Sequence, residues 1–509
     1  MSASNWTLLL ILPLLILSSL AFLAKPALRY AAKTAASAAA RLLADRYTEN
    51  LAEFLPSLKR FSVLNVIELS LRAQTGQIVK RPMGSPKHWL GFENLMFAPR
   101  QMTGLPLPAS AQVDMSVTIG PAAAKPLALS MPLLISGMGY GLGLSEEAKR
   151  ALARAARMLQ TATNSGAGPY LPEEREEADK FILQISRWPW GGRTAQQIAA
   201  ADMLEVQMGQ GADMGPVRVE AEDLAGRAQI LGGLAPGQPA ISLPAPPGVQ
   251  SLQDWPGFMA MLRQRANGIP IALKLMATDR LEEDLAAAVE LGFDAVVLDG
   301  AEGAHHASAP LKQDDFGLPS LYALIRARRY LKDQDRPISL IVAGGYFTPG
   351  QCLKALALGA DAIYLGTVPL FALTHGQLPK VLPWEPLTTL VFYDSPLKSR
   401  LDVAQAATRV VNVLTSMVLE MQEAMRALGK ASLKELGPGD LVALDAYTAE
   451  VTGVKPAFGA GMAPLSGAAP ERPANSTVNR RRSATVRPAN RRGCQRAPGR
   501  PHPDGQQPD

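Results

Sequence analysis

Cysteine is almost absent from this sequence. The 509 residues include two cysteines, Cys352 and Cys494, which lie far apart along the chain. Two distant thiols cannot complete a protein-ligated iron–sulfur cluster, a cysteine-rich zinc site or a disulfide scaffold. No set of histidines or carboxylates has the spacing of metal ligands either. We therefore expect no iron–sulfur cluster, no metal site and a reducing compartment.

Aromatic residues are sparse, and positive charge is scarce outside one segment. Aromatics make up 6% of the chain, and much of the net charge of +6 lies from Arg472 onward. The preceding part is nearer neutral and shows no obvious nucleic-acid-binding face, so we expect no nucleic-acid partner. The hydrophobic fraction of 47% is sufficient for a sizeable core, and the plentiful glycines and prolines suit many strands closed by tight turns.

One long uncharged apolar run, Thr7–Ala24, is just long enough to span a bilayer. Lys25, Arg29, Lys33 and Arg41 follow this run, whereas no lysine or arginine precedes it. A secretory signal peptide has the opposite charge order. By the positive-inside rule we expect an uncleaved, single-pass membrane anchor with the rest of the chain on the cytoplasmic side. A signal peptide and a buried soluble helix are the alternatives.

Hydrophobic runs then alternate with amphipathic segments at a spacing of roughly 30 residues, which is typical of parallel βα units. We predict an α/β fold, a (β/α)8 TIM barrel, with an amino-terminal transmembrane helix and a carboxy-terminal helical extension. The gap Gly166–Ala201 is acidic and polar and is predicted to form a cap. The eight predicted strands are Pro132–Ser136, Gln160–Thr163, Met203–Val206, Ala240–Leu243, Pro270–Leu275, Ala295–Asp299, Ile338–Ala343 and Ala362–Leu365.

Composition divides the chain into five predicted segments. Residues 1–30 form the transmembrane anchor and residues 31–128 a helical linker and wrapping segment. Residues 129–380 form the barrel, and residues 381–464 form the helical extension, which includes a long helix over Leu401–Leu428. Residues 465–509 are rich in proline, arginine and serine and are predicted to be a disordered basic tail.

The stretch Ile338–Thr367 reads as strand, glycine turn, helix, strand, glycine turn. Gly344-Gly345 and Gly366-Thr367 end its two strands, where backbone N–H groups can approach an anion without a Cβ in the way. In a (β/α)8 barrel the loops after strands seven and eight commonly bind a ligand phosphate. We interpret these turns as a phosphate-binding site, the alternative being an ordinary pair of α/β turns.

Other predicted strand ends contribute polar or small residues. Ser136-Gly137-Met138-Gly139 follows the first strand and superficially resembles a dinucleotide motif, but the third glycine of that motif is misplaced. We expect this turn to offer backbone donors to a flat ring instead. Asn164 closes the second strand, and Gln210 lies just past the third.

Lys274 lies inside the apolar strand IALKLMA, where a buried ammonium needs an anionic partner. At a barrel mouth that partner can be the N1–C2=O edge of a reduced flavin. The alternative is a core carboxylate such as Glu205 or Asp299. His305-His306 follows the sixth strand, and a substrate contact or a structural role is open for either histidine.

Seven stretches together carry a family resemblance. They are ISGMGYG, TNSGAGPYLPEER, LEVQMGQGA, ALKL, LDGAEGAHHASAP, AGGYFTPGQCLKALALGADAIYLGT and, later, ALGKASLKELGPGDLVALD. In this order they resemble the FMN-binding synthase domain of glutamate synthases, and most of all its stand-alone forms. The resemblance implies a (β/α)8 barrel that holds FMN. In the parent enzymes 2-oxoglutarate and ammonia condense to an imine, which reduced FMN converts to L-glutamate.

Position by position, the resemblance implies a set of site residues. Lys274 and Gln210 would line the ring as catalytic residues, and the glycines after strands six to eight would hold the ribityl phosphate. The predicted cofactor-binding residues are Ser136, Gly137, Met138, Gly139, Asn164, Gln210, Lys274, Gly300, Gly303, Gly344, Gly345, Gly366 and Thr367.

The sequence also departs from the family pattern. Ala167 replaces an acidic residue, Gln207 replaces a lysine, and Ala304-His305 replaces a small pair in the phosphate loop. No amidotransferase domain precedes the barrel, and no nicotinamide or cluster site is visible, so we expect a separate electron donor protein or reductant. The expected function is a membrane-anchored FMN oxidoreductase of the glutamate synthase type that acts on a small-molecule imine or carbonyl.

Two alternatives remain open at this point. The first is a degenerate barrel that serves as a membrane-bound scaffold or ligand sensor without turnover, which the altered phosphate loop favours. The second is another flavin enzyme such as a hydroxy-acid oxidase. That chemistry needs a histidine base and an arginine clamp, and no convincing arginine lies at the predicted strand ends.

Overall fold

A computed structural model describes residues 23–24, 26–42, 44, 46, 54–81, 84–211, 214–303, 308–382 and 386–458. Its centre is a sheet of eight parallel strands wound into a near-closed barrel. The strands are Leu133–Ile135 (β1), Ala162–Asn164 (β2), Lys180–Ile185 (β3), Met203–Gln207 (β4), Ile271–Met276 (β5), Ala295–Asp299 (β6), Ser339–Ala343 (β7) and Ala362–Leu365 (β8).

The barrel closes in chain order, with β8 paired to both β7 and β1. The seam between β1 and β2 is bridged by two hydrogen bonds rather than by a ladder. Thr161 Oγ1 donates to the Leu133 carbonyl at 2.7 Å, and the Ser130 N–H donates to the Gln160 carbonyl at 3.1 Å. The predicted (β/α)8 architecture is therefore confirmed.

Two of the strand assignments made from sequence were wrong. The third barrel strand is Lys180–Ile185, which lies inside the segment predicted as a cap. Acidic residues on its amino-terminal side hide this short strand, although five of its six side chains are buried. Conversely, Ala240–Ile241 pairs antiparallel with Arg218–Val219 in a separate two-stranded sheet. The long connection between β4 and β5 thus contains its own small hairpin instead of a barrel strand.

The interior of the barrel follows from the alternation of side chains along each strand. Ala272 and Lys274 of β5 point inward, whereas Leu273 and Leu275 pack against the outer helices. An antiparallel hairpin, Val117–Ile119 with Leu127–Leu129, packs against the inward apolar side chains. Its Gly120 N–H donates to Ser339 Oγ at the beginning of β7, so the hairpin covers the amino-terminal end of the barrel.

Helices surround the sheet, and several begin at sequence-visible caps. Ser145 accepts a hydrogen bond from the Ala148 N–H, and Thr348 forms a capping box with Gln351 just before Pro349. The outer helices are Glu146–Met158, Pro172–Glu177, Ala195–Ala199, Arg227–Leu231, Trp255–Ala266, Leu281–Glu290, Pro310–Asp315, Ser320–Leu331, Pro349–Ala357 and Thr367–Thr374.

Segments on both sides of the barrel complete the fold. The long helix Val403–Ala427, capped by Asp402, packs across Glu146–Met158 and Thr367–Thr374. Strand Leu95–Phe97 pairs antiparallel with Leu441–Ala443, which joins the two flanking segments. Helices Phe54–Phe61 and Val63–Thr75 precede the barrel, and helix Ala446–Thr452 follows it.

Within the described residues, no helix is both long enough and apolar enough to cross a membrane. The predicted span Thr7–Ala24 lies outside the described residues except for its last two positions. The predicted basic tail, residues 465–509, and Cys494 also lie outside them. The anchor therefore stays a prediction.

Candidate active site at the carboxyl ends of the barrel strands

A cavity of about 350 Å³ opens where the carboxyl ends of the barrel strands converge. Parallel strands bring their following loops to one end of the barrel, so residues distant in sequence meet there. Eleven of the predicted site residues line the cavity. They are Ser136, Gly137, Met138, Gly139, Gln210, Lys274, Gly303, Gly344, Gly345, Gly366 and Thr367.

Two predicted site residues, Asn164 and Gly300, do not line the cavity. Asn164 is fully buried, and a Cβ on Gly137 would stand 2.8 Å from its Oδ1. That same oxygen accepts a hydrogen bond from the Gly166 N–H at 2.8 Å. Gly300 packs against Ser320, where a Cβ would lie 2.1 Å from the hydroxyl oxygen. Both residues support the surrounding loops from below instead of facing a ligand.

The turn after β7 requires glycine at two consecutive positions. Gly344 and Gly345 have φ values of +101° and +77°, a region that side chains rarely adopt. A Cβ on Gly344 would meet the Gly300 backbone nitrogen at 2.8 Å, and one on Gly345 would meet the Glu302 Cβ at 2.6 Å. The turn therefore brings bare backbone to the wall of the cavity.

The turn after β8 leads directly into helix Thr367–Thr374. The nearest atom to a Cβ built on Gly366 is the Ser136 Cβ, 3.9 Å away, so this position has open space beside it. The unpaired N–H groups of a helix amino terminus, together with the helix dipole, attract anions. Both turns line the cavity, and the phosphate-binding role predicted for them from sequence stays a prediction.

Lys274 is 1% exposed and contributes to the inner wall of the cavity. Its Nζ lies 3.8 Å from Asp299 Oδ2 and 5.9 Å from the centroid of the Tyr364 ring. One of the two core carboxylates considered as a partner is therefore near Lys274. The ammonium faces the cavity and Asp299 at once, which places a positive charge beside any ring bound there.

The other carboxylate, Glu205, belongs to a buried polar network beneath the cavity. The Tyr364 hydroxyl donates to Glu205 Oε2 at 2.8 Å, and Gln184 Nε2 donates to Glu205 Oε1 at 2.7 Å. Asn164 Nδ2 donates to the Tyr364 oxygen at 3.1 Å. Burial and the adjacent carboxylate raise the pKa of Tyr364 well above its usual value, so the phenol keeps its proton.

This network was missed from sequence, although a signal for it existed. Lys274 shares the inward face of β5 with Ala272, and the same alternation turns Glu205 inward on β4 between Met203 and Gln207. A buried carboxylate must be hydrogen-bonded or paired. For Glu205 on β4, this requirement predicts a buried hydrogen-bond donor on another strand of the barrel. In the structure, Tyr364 of β8 is such a donor.

A third carboxylate, Glu302, lines the cavity beside the Gly344-Gly345 turn. Its Oε2 accepts hydrogen bonds from the Ser320 backbone N–H at 2.7 Å and from the Ser320 hydroxyl at 2.8 Å. It therefore caps helix Ser320–Leu331 from outside that helix. Burial raises the pKa of the Glu302 carboxyl above its usual value.

Two buried basic side chains bind carbonyls in and just before the loop Gly166–Gly168, which contains the substituted position Ala167. Arg193 donates to the carbonyls of Gly166 and Gly168 at 3.4 and 2.9 Å and to the Gln184 carbonyl at 2.9 Å. Lys149 pairs with Glu174 at 2.8 Å and donates to the Asn164 carbonyl at 2.9 Å. These cations stabilise backbone carbonyls instead of facing the cavity.

An aromatic pair covers the outer side of the same loop. Trp190 Nε1 donates to the Ala167 carbonyl at 2.8 Å. Trp188, which lines the cavity, stacks on Trp190 with ring centroids 5.3 Å apart and planes 1° apart. The cavity is thus lined by the Ala167 methyl group, where the family pattern has an acidic side chain, and by the nearby Trp188 indole.

Some predicted features cannot be placed. Ala304, His305 and His306 lie outside the described residues. Cys352 is buried, and its pKa is raised to about 12 by burial, which keeps the thiol protonated. Within the described ranges, no group of three or more His, Cys, Asp or Glu side chains is arranged to hold a metal ion. The expectation of no cluster stays a prediction.

The fold and site together define a (β/α)8-barrel protein with a cavity of cofactor size at the carboxyl ends of its strands. Comparison with known proteins assigns the family. Residues 90–431 match the family model described as a conserved region in glutamate synthase. The chain belongs to the glutamate synthase family through its FMN-binding domain, and it is an enzyme of the oxidoreductase class.

Two relatives matched by sequence agree with this assignment. A glutamate synthase large subunit-like protein of Rhizobium meliloti (strain 1021) is 31% identical over 418 residues, which cover 75% of this chain and 91% of the relative. An archaeal-type glutamate synthase [NADPH] of Thermotoga maritima is 27% identical and is matched over 77% of this chain and 83% of its own. A solved mandelate oxidase with an FMN adduct aligns with 67% of this chain and 86% of its own, at 18% identity and a TM-score of 0.43.

Proposed function

We propose that this chain binds FMN in the cavity and uses it to reduce an imine or carbonyl substrate. The reaction of the parent family, from 2-oxoglutarate and ammonia to L-glutamate, is the reference reaction. The observation that carries the proposal is the position of Lys274 in the wall of a cavity that Gly344-Gly345 and Gly366-Thr367 also line, with its Nζ 3.8 Å from Asp299 Oδ2. The family assignment supports the cofactor.

The residues present fit a flavin mononucleotide. The cavity volume of about 350 Å³ lies within the range of small-molecule sites. The Gly344-Gly345 and Gly366-Thr367 turns would hold the phosphate through backbone N–H groups, since no Cβ blocks their approach. The Ser136–Gly139 turn and Gln210 would line the ring, with Lys274 next to it.

When bound, FMN supplies a hydride at N5 for a two-electron reduction. The protein's own part is electrostatic. The Lys274 ammonium would stabilise negative charge that develops on the ring, and Asp299 holds that ammonium in place. The Gln210 amide would orient the ring or the substrate. The hydrogen-bonded pair Tyr364 and Glu205 would lie beneath the bound ring and substrate and support the residues that contact them.

Electrons must enter from outside this site. We propose a separate electron donor protein or small reductant, because the sequence shows no nicotinamide motif and too few cysteines for a cluster. The nitrogen source would be free ammonia or a partner's product.

We also propose that the barrel is tethered to a membrane, on the cytoplasmic side, by the run Thr7–Ala24. Exposed apolar residues on the next segment support this placement. Val63, Ile67 and Leu71 follow one another at helical spacing on helix Val63–Thr75 and are 56%, 51% and 47% exposed. Such a face, close in sequence to the anchor, suits the lipid boundary.

The first experiment is an absorbance spectrum of the detergent-solubilised protein, with the released chromophore identified by mass. We expect a yellow protein that releases FMN. Absence of flavin would favour the degenerate scaffold, in which Lys274→Met would alter only stability. Reduced flavin that 2-oxoglutarate plus ammonia fails to reoxidise would remove that substrate and leave the cofactor proposal intact.

The role of Lys274 has its own readout. A charge-assisted contact is worth roughly 1.5–3 kcal/mol, so Lys274→Met should lower the two-electron flavin midpoint potential by about 30–60 mV. Lys332→Met, at an exposed position outside the cavity, is the matched control and should leave the potential unchanged. An unchanged potential in Lys274→Met would contradict the electrostatic role.

The anchor is tested by fusing a topology reporter to the carboxyl terminus. We expect the reporter to remain cytoplasmic and to sediment with membranes. An exported reporter would instead support the signal-peptide alternative.

A further inference from the structure

We propose that the preferred substrate is an amphipathic carbonyl or imine compound. It would have a bulky apolar body and one anionic group, as a 2-oxo acid with an aromatic side chain does, instead of the dicarboxylate 2-oxoglutarate. This inference rests on the proposed function and concerns the part of the cavity that the cofactor would leave open. That part is bounded by the loops that follow β1, β2, β3 and β4.

The wall on this side of the cavity is apolar. Ala167 contributes a methyl group where the family pattern has a carboxylate, and Trp188 contributes an indole that is 8% exposed. Further apolar lining side chains are Leu142, Val217, Val219 and Phe392, and Gln210 and the half-exposed Arg218 are the polar residues that the segment after β4 adds. A carboxylate placed against this wall would lose water without gaining a partner, which is unfavourable. An apolar or aromatic group gains by burial there.

Backbone pairing holds this wall in place. Val219 lies in the hairpin strand Arg218–Val219, which pairs with Ala240–Ile241. The Val217 N–H donates to Ser242 Oγ at 2.7 Å, and the Leu243 N–H donates to the Arg187 carbonyl at 2.6 Å. The hairpin is therefore tied to the segment that carries Trp188, so the two halves of the wall keep their spacing.

The arginines next to Trp188 in sequence bind backbone instead of facing this space. Arg187 Nη1 donates to the Gly215 carbonyl at 3.1 Å, and Arg193 donates to the carbonyls of Gln184, Gly166 and Gly168. Each guanidinium contributes to loop structure, and neither lines the cavity. The arrangement provides no inner clamp for a second substrate carboxylate among the described residues.

The rim of the cavity, in contrast to its apolar wall, carries two basic side chains, Lys80 and Arg218. Of the described residues that line the cavity, the basic ones are Lys274 at the inner wall and Lys80 and Arg218 near the surface. Lys80 lies 3.2 Å from Asp223, and Arg218 lies 2.8 Å from Glu220, and all four side chains are largely exposed. Exposed pairs of this kind exchange partners readily. The rim can thus accept one anionic group while the apolar body lies against Trp188.

The test uses the full-length, FMN-loaded protein in detergent. Ligand binding is measured from changes in the flavin absorbance spectrum, which requires no turnover. The probes are phenylpyruvate, 2-oxoglutarate and pyruvate. We expect phenylpyruvate to bind about tenfold or more tightly than either of the others, a ratio within the reach of hydrophobic discrimination. Equal binding of phenylpyruvate and 2-oxoglutarate, or tighter binding of 2-oxoglutarate, would overturn the proposal.

Variants separate the two recognition elements. Trp188→Ala should weaken phenylpyruvate about tenfold with unchanged FMN content. Val219→Lys, at a half-buried hairpin position, should weaken phenylpyruvate binding and improve 2-oxoglutarate binding. It keeps the proposal testable if Trp188→Ala does not fold. If Val219→Lys leaves both affinities unchanged, the hairpin does not contact substrate and the proposal fails.

The rim charge has a matched control. Arg218→Gln should weaken phenylpyruvate several-fold but not the neutral analogue phenylacetone, whereas Arg265→Gln, exposed and outside the cavity, should change neither. A protein that contains no FMN would instead defeat the proposed function, which is a different result from flavin bound with the wrong ligand preference.

Discussion

The two halves of the barrel mouth differ in the groups that they present to the cavity, which are mainly backbone in one half and mainly side chains in the other. The half that we propose for the phosphate, called the phosphate half below, comprises Glu302-Gly303, Gly344-Gly345 and Gly366-Thr367, and glycine backbone makes up most of it. The substrate half comprises Gly166–Gly168, the tryptophan pair and the hairpin strand Arg218–Val219, and it presents mainly side chains. Backbone donors recognise one constant chemical group. Side chains can change, and with them the substrate, while the barrel stays the same.

Stability is also organised differently in the two halves. In the phosphate half, close approach of main chains excludes any Cβ at several glycines. In the substrate half, buried cations bind loop carbonyls, as Arg193 does for Gly166 and Gly168. The phosphate half should therefore be destabilised by a substitution that adds a side chain at one of these glycines. The substrate half should be destabilised by a substitution that removes a buried charge or hydrogen-bond donor.

The largest effect is expected from Gly344→Ala in the phosphate half. The new Cβ would lie 2.8 Å from the Gly300 nitrogen at a φ of +101°, so both a clash and backbone strain are incurred. We expect a loss of roughly 3–5 kcal/mol in the free energy of unfolding, together with loss of FMN. Denaturant unfolding and flavin content measure these effects.

A matched glycine isolates the clash. Gly248 has the same φ of +101°, but the nearest atom to a built Cβ is Phe258 Cδ2 at 3.6 Å, an ordinary contact distance. Gly248→Ala should therefore incur only the strain, roughly 1–3 kcal/mol, with FMN retained. Similar losses in both variants would show that close packing is not what distinguishes the turn after β7.

The next largest effect is expected from Arg193→Met in the substrate half. This change leaves the carbonyls of Gln184, Gly166 and Gly168 without their buried donor. We expect a loss of about 2–4 kcal/mol in the free energy of unfolding. The apparent affinity for substrate should fall more than the affinity for FMN, as measured by parallel titrations. An equal loss of substrate affinity and FMN affinity would contradict the assignment of Arg193 to the substrate half.

Glu302→Gln tests whether a negative charge in the phosphate half weakens FMN binding. The Glu302 carboxylate faces the Gly344-Gly345 turn, so its negative charge opposes a bound phosphate. We expect the variant to bind FMN roughly three- to tenfold more tightly near neutral pH, since about 1 kcal/mol of repulsion is removed. Isothermal titration of the apoprotein with FMN provides the measurement.

The pH dependence of that difference has a defined sign. Because burial raises the pKa of the Glu302 carboxyl, the folded protein holds its proton to a higher pH than the unfolded chain does. Between those two pKa values, the stability of the natural protein should fall as pH rises, and its FMN affinity should fall as pH rises through the folded pKa, where the carboxyl becomes charged. Glu302→Gln should flatten this part of both profiles, whereas phosphate ionisation of FMN near pH 6 affects both proteins alike. Parallel profiles for the two proteins would contradict this assignment.

The smallest effect is expected from Trp190→Phe. The substitution keeps an aromatic ring against Trp188 and removes the indole N–H that donates to the Ala167 carbonyl. We expect a loss of about 0.5–1.5 kcal/mol in the free energy of unfolding. Ligand affinity should fall several-fold while FMN affinity is unchanged. A drop in FMN affinity instead would place the tryptophan pair in the cofactor half.

Much of the phosphate half could be predicted from sequence. Glycine pairs directly after apolar runs have a physical meaning that does not depend on distant residues, because only glycine fits a left-handed turn with close backbone approach. The same holds for the order of the strands, which follows from their spacing along the chain. Lys274 stood out because an ammonium in an apolar strand must have a partner.

Other features needed the tertiary structure. Strand Lys180–Ile185 was obscured by its acidic neighbours, and Ala240–Ile241 resembled a barrel strand until its antiparallel partner was seen. The Asp299 partner of Lys274, the Glu205–Tyr364 contact and the bonding of Arg193 to three carbonyls depend on side-chain positions across separate strands. Local pattern determines which faces are buried and which turns require glycine. Which buried polar groups meet is decided only when the sheet curves into a barrel, because closure sets the distances between strands that are far apart in sequence.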